Sequence, residues 1–571
     1  MISGRLNLSN VIAFIYSVNL FLTILLVFKV LKFNCWVTIH RITSLKIFEI
    51  PPIISLIILL LSSIILVNIV FRGFYKTLIL IPIPLILYFT FGLEYSVVVF
   101  SFSLLPTILL YLGVYSSLLY SFLIVLCIFE GLSLFYWILL HPLVLKPTFI
   151  WDVAYLELLT SSLTLSISPL ILIFTLYYWI FKPWINLTPF KFRLTSELHL
   201  NHGCSWKSLV FFTSSIIISL VASLYPYIPS INPYFFPVGV DFKWYSDGLT
   251  KFEINPMSIF DFLGGSRPML IIFLYVFKSL FGFGVKEAVT LFPIILNPLF
   301  TLSIFLFVWV SFDNIYLASI SAFFASMSFK ITVNMYSYFL ANMTALILIM
   351  YSLVFMLVYY KLKSKYALIP ALIMYNLALL THPWTYMQFS MSIALMLFLQ
   401  FIKLKDFKKF INEYLAFILM FTTSIPIVII FIPFGVNQFQ IFLNTIKAMN
   451  LSSLFNFWFN SLFASLLLYG GFQMNIFTLL TAFLALLYPS TGFGEELLRF
   501  MVIASSIPYP FVDGMLQSRI LFNLPMEILS SLFIYRVSSS ELISFKMRSS
   551  IFLLAIVSQL NYLFRCLANI I

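Results

Sequence analysis

The sequence predicts an all-α polytopic membrane protein of roughly 16–18 transmembrane helices, and three observations carry that prediction. Of its 571 residues, 62% are hydrophobic and only 9% charged, with a mean hydropathy of +1.08. One soluble core has no room for so much apolar surface. Apolar runs of about 20 residues, the length that crosses the hydrocarbon, recur from Val11 to Leu563. The runs are continuously apolar, which excludes the alternation of a membrane β-barrel.

The first run follows only Arg5 and no small-residue cleavage pattern comes after it, so it reads as a retained span. Residues 1–185 hold about six apolar runs and form an N-terminal helical block. Residues 186–207, with Lys191, Arg193 and Lys207, make a polar linker expected in the cytoplasm. An even number of spans before it places the N-terminus in the cytoplasm as well, in a cell membrane, and puts His141 to Glu157 outside. The loop holding Lys32, Arg41 and Lys46 runs against that assignment.

The net charge of +13 does not indicate nucleic acid, because the lysines and arginines sit in short clusters between apolar runs, where positive-inside bias accounts for them. The four cysteines form no CxxC pair and no His/Cys cluster, so neither a disulfide framework nor a zinc site is expected.

Residues 208–571 form a second membrane domain. Two lysine clusters, Lys361 to Lys365 and Lys403 to Lys409, orient it. Between them Ala367 to Leu380 climbs outward, "THPWT" at Thr381 to Thr385 turns at the outer face, and Met387 to Ile402 returns. Counting backwards, Thr344 to Tyr360 descends, Ile315 to Phe329 climbs and Val289 to Phe312 descends. Residues 225–287 are then a long extracytoplasmic loop, which explains why charged residues gather in "GVDFKWYSD". Within it Tyr225 to Pro237 is too proline-rich to be helical. Pro268 to Phe281 is apolar but short for a span, and reads as a helix lying at the outer interface; a true span there is the competing reading and would invert everything on one side of it. Pro237 and Gly239 turn the backbone so that Asp241 points back to the membrane surface.

In order and pattern, residues 207–571 resemble the GT-C superfamily of integral-membrane glycosyltransferases, which includes archaeal-type oligosaccharyltransferases and protein mannosyltransferases. The likeness rests on a first span, Leu209 to Tyr225, followed by an acid, Asp241, and by the proline-started helix "RPMLIIFLYVFKSLFG". Further along come the small-residue span from Ile320 to Met343, the histidine turn at His382, and "QSRILFNLPMEIL", similar to an arginine-led late span.

The resemblance implies transfer of a sugar from a polyprenyl-phosphate-linked donor to an acceptor at the outer face of the bilayer. The residues suit that chemistry: a carboxylate, Asp241, to hold or deprotonate the acceptor, and Arg519, aided by Arg267, to meet the departing phosphate with a planar fork. Lys243, Asp247 and His382 are candidate site-lining residues. Some members of that family bind a divalent metal through an acid pair, but Asp241 and Asp247 stand six positions apart with Lys243 between them, so a helix would put them on different faces; this spacing argues against a divalent metal without excluding one, and no other cofactor is expected. Two other classes fit the same architecture: a lipid or solute transporter or flippase, for which Glu130 within an apolar run is the candidate residue, and a GT-C-shaped protein without catalysis.

Overall fold

The computed structural model describes residues 206–260, 267–362, 364–404, 406–447, 492–506, 514–539 and 545–568, with a few positions between 478 and 486. The expectations for the N-terminal block, for residues 186–205, for Glu130 and for His141 to Glu157 lie outside the described residues. What is described falls into two compact units, one including residues 206–447 and 481–533, the other including 534–568. Among the described residues every regular element is helical. Among the described residues six helices are long and apolar enough to cross a membrane: Trp206–Tyr227, Val285–Phe312, Ile315–Ser337, Leu340–Leu362, Pro383–Ile402 and Phe407–Ile429. The described part of the chain is all-α, and its apolar helices are those of a multi-pass membrane protein.

Helix α1 (Trp206–Leu224) buries Ser208, Ser215, Ser219, Ala222 and Ser223, while Leu209, Val210, Ile217, Val221 and Leu224 are exposed. This inverts the soluble amphipathic pattern. Lipid tails are as apolar as leucine, so helices associate where small side chains let backbones approach. Ser219 Oγ donates to the Ile216 carbonyl at 2.9 Å and Ser223 Oγ to that of Ser219 at 2.7 Å, while Ser223 Oγ also accepts from Asn297 Nδ2 at 2.8 Å.

Two helices of the long loop follow, α2 (Phe242–Ile254) and α3 (Pro268–Phe281). Proline opens α3, where its missing N–H is harmless, and Gly282 closes it in the left-handed region at φ 67°. Its 14 residues reach only about 21 Å, against a hydrocarbon layer of about 30 Å. Leu270, Ile271, Leu274 and Phe277 are its buried face.

Helix α4 (Val285–Phe312) runs from the loop end of the bundle to the opposite end, where Asp313 takes a left-handed conformation. Asp313 Oδ2 there accepts from Lys361 Nζ at 2.6 Å. Asn314 caps α5 (Ile315–Ser326), its side chain accepting from the Leu317 N–H at 2.9 Å. Helix α5 packs on both α1 and α4, presenting buried Ala318, Ser319, Ala322 and Ala325.

The climb expected from Ile315 to Phe329 takes a different form. The chain breaks at Met327 and Ser328, resumes as α6 (Phe329–Ser337), and only Tyr338 and Phe339 separate α6 from α7 (Leu340–Leu362). Ser328 is extended and Tyr338 left-handed at φ 50°, so the two ends of α6 are set by backbone turns without proline or glycine.

Helices α8 (Lys365–Thr381), α9 (Pro383–Leu404) and α10 (Phe407–Lys447) continue the alternation, α7 packing on α4 and α8. One extended residue, His382, joins α8 to α9, and Pro383 opens α9. Lys361, Lys365, Lys408 and Lys409 consequently all lie at the end of the bundle opposite the long loop. After α11 (Phe493–Ser506), the arginine-led stretch forms α12 (Gly514–Asn523) and α13 (Met526–Ser539), broken at Leu524 and Pro525 because proline cannot donate and its predecessor leaves the helical region. Helix α14 (Phe545–Ala568), which holds the buried Cys566, belongs to the second unit.

Candidate active site

The chain leaves α1 through a single tight turn, Tyr225–Tyr227. Asn232 then staples the loop, its Nδ2 donating to the Phe236 carbonyl and its Oδ1 accepting from the Phe236 N–H, both at 2.8 Å. Gly239 passes against the ring of Tyr338, in space that a Cβ would have to share with ring carbons. The Val240 N–H donates to the Tyr336 carbonyl at 3.0 Å, and the hydroxyls of Tyr227 and Tyr338 bond at 2.8 Å. The acidic loop is therefore strapped to α6 and to the residue that ends it.

This strap delivers Asp241 to the N-cap position of α2, but its side chain makes no capping bond. The carboxylate is left for other work. It is half-buried, and burial pushes its pKa above the ordinary carboxylate value while the charges of Arg267 and then Arg519 oppose the rise. One turn along α2, Tyr245 is 1% exposed and its hydroxyl accepts from Arg267 Nη1 at 3.1 Å. Burial raises the Tyr245 pKa; Arg267 and Arg519 lower it and Asp241 raises it. His382, also 1% exposed, is held well below the usual imidazole range, first by burial and then by Arg267 and Arg519.

Asp241, Arg267, Arg519 and His382 are thus within electrostatic reach of one another, although 278 positions separate Asp241 from Arg519. Lys243 and Asp247 are exposed on α2 and do not join them. Among the described residues Asp241 feels the charges of two guanidiniums and no His, Cys, Asp or Glu cluster gathers that could hold a metal, an arrangement that suits an anionic ligand group better than a cation.

His382 heads a buried polar row. Its Nδ1 lies 2.8 Å from Thr385 Oγ1 and accepts from the Thr385 N–H at 3.2 Å. An acceptor Nδ1 leaves the proton of the neutral ring on Nε2. Asn523 Nδ2 donates to Thr385 Oγ1 at 3.2 Å and to Gln388 Oε1 at 2.9 Å, and Gln388 Nε2 donates to Ser505 Oγ at 2.8 Å and to the Ile520 carbonyl at 3.1 Å. His382, Thr385 and Gln388 thereby fasten α9 to α12, the short helix that carries Arg519.

Sequence reasoning missed Tyr245 and the Thr385–Gln388 row. Both had a signal: Tyr245 follows Asp241 by one helical turn, and polar His382, Thr385 and Gln388 recur every three residues in an otherwise largely apolar stretch. No protein-family model and no curated protein matches the sequence.

Proposed function

We propose that the protein is a membrane-embedded transferase of the GT-C type that moves a sugar from a polyprenyl-phosphate-linked donor to an acceptor at the extracytoplasmic face. The observation that carries this reading is a half-buried carboxylate without a capping bond, Asp241, lying under the fields of two guanidiniums from separate parts of the chain.

In the proposed step an acceptor X–H attacks the anomeric carbon and the new C–X bond forms as the C–O bond to phosphate breaks. Asp241 takes the acceptor proton, and the phosphate leaves with the bonding electron pair. Arg519 and Arg267 meet the charge that builds on it, each able to offer a planar pair of N–H donors. The phenol of Tyr245, held by Arg267, fixes that guanidinium. Neutral His382 adds no positive charge to the site and carries an Nε2 proton to donate.

The test is transfer from candidate polyprenyl-phosphate sugars. Asp241→Asn keeps volume and removes the base, so transfer falls by about a hundredfold or more. Arg519→Lys keeps charge but loses the fork and weakens donor use more than acceptor use. Normal transfer by Asp241→Asn would overturn the assignment.

A second reading, transport of a lipid or solute, draws on the ion pair of Lys330 and Glu527 buried beside two helix breaks. Flux abolished by Glu527→Gln, with no transfer activity in the unaltered protein, would favour it.

A further inference from the structure

We propose that Lys330 and Glu527 form a positioning pair that sets Arg519 relative to Asp241, by clamping the break between α12 and α13 onto α6. The proposal rests on the reading of Asp241 and Arg519 as one site.

Lys330 is 0% exposed, in the first turn of α6. Its ammonium donates to the Leu524 carbonyl at 2.7 Å and to Glu527 Oε2 at 2.6 Å, and packs 5.0 Å from the centre of the Phe329 ring. These two acceptors stand on either side of Pro525. Leu524 follows the end of α12, and Glu527 lies in the first turn of α13. A hinge at a proline has no backbone N–H to hold its angle; here one cation bridges both arms.

The same short helix holds the acid. Its Tyr336 carbonyl receives the Val240 N–H, and Tyr338 at its end packs on Gly239. Phe522 of α12 meets the start of α6 and the link that follows it, with ring centres 6.1 Å from Phe329 and 5.4 Å from Phe339. Helix α6 is thus a bracket, with the Asp241 loop held at its last turn and the break after the Arg519 helix held at its first. Arg519 precedes Asn523 by one turn, so a change in the break angle swings the guanidinium. Replacing a cation and an anion with neutral side chains would leave the helices in place by packing but free the hinge.

The test compares Lys330→Met, Lys330→Arg, Glu527→Gln and the double variant Lys330→Met/Glu527→Met in the full chain in nanodiscs. Lys361→Met, which breaks the pair with Asp313 at the far end of the bundle, is the control. Three readouts are taken: thermal unfolding, binding of a polyprenyl monophosphate, and the distance distribution between spin labels at Ser246 and Leu521. Lys330→Met and Glu527→Gln are expected to weaken phosphate binding by about tenfold or more and to broaden the label distances, with Lys330→Arg close to the unaltered protein.

The double variant discriminates. Apolar replacement of both partners restores the unfolding temperature, as it commonly does for buried pairs, whereas the Leu524 carbonyl still lacks its donor and the distances stay broad. Narrow distances in every folded variant, or broadening by Lys361→Met as well, would overturn the proposal. If the unaltered protein binds no polyprenyl phosphate, the reading of the site fails while the clamp is still judged by the label distances.

Discussion

Gly239→Ala is the sharpest test of how the acid is delivered. A Cβ at that position has three carbons of the Tyr338 ring as its nearest neighbours, each closer than 3.0 Å, whereas carbons in normal contact stand about 3.5–4.0 Å apart. Ring and loop must therefore part by more than about 0.5 Å. Tyr338 has little freedom to move, being 0% exposed, held by the 2.8 Å bond to Tyr227, and in a left-handed conformation at φ 50°.

Overpacking of this kind costs about 1–3 kcal/mol. Tyr338→Gly, which suits the left-handed backbone but removes a buried aromatic ring, costs about 3–5 kcal/mol. If the two changes were independent the double variant would lose roughly 4–8 kcal/mol. Because the methyl has nothing to strike once the ring is gone, the double variant is expected to lose no more than Tyr338→Gly alone. Unfolding of the three variants by detergent titration gives the coupling, and transfer activity reports the shifted carboxylate, since about 1 Å of misplacement costs on the order of a hundredfold. Additive losses, or Gly239→Ala at full stability, would refute the strap.

Two further outcomes follow from the site and its orientation. His382 has a folded-state pKa below the ordinary 6.5, so as pH falls through that value the unfolded chain takes up the proton first and stability is lost, by up to about 1.4 kcal/mol per pH unit. Unfolding measured between about pH 8 and pH 5.5 should show that loss reduced in His382→Gln; an identical pH dependence in the two proteins would count against a buried neutral imidazole. In a cysteine-free background, Lys251→Cys and Lys408→Cys, both at exposed positions, should react with an impermeant maleimide from opposite sides of the membrane, the first from outside, and labelling of both from one side would overturn the topology.

The membrane helices were legible because lipid imposes a simple code. Apolar runs and two lysine clusters located α4, α7, α8 and α9 to within a few residues, and the acid stood out in a chain with so few charges. The breaks around α6 were not legible. "SFKITVNMYSYFL" has neither proline nor glycine, and its turn at Tyr338 depends on the ring and backbone contacts of a loop about a hundred positions earlier. Nothing local to Lys330 marks it out, because its partner lies 197 positions away. The approach of Arg267 and Arg519 to Asp241 is likewise a product of packing, which local spacing does not encode.

The serine face of α1 has a thermodynamic consequence. When α1 and α5 separate inside a bilayer, Ser215, Ser219, Ala318 and Ala322 meet acyl chains, and no apolar surface is handed to water. Large heat capacities of unfolding come from hydrating such surface. Their cohesion is dispersion between closely spaced backbones, many small contacts in place of one solvent-driven force. The contribution of this helix pair should therefore change nearly linearly with temperature, without the maximum and cold decline that mark soluble cores, and it should respond to the length and packing of the surrounding acyl chains, which compete for the same grooves.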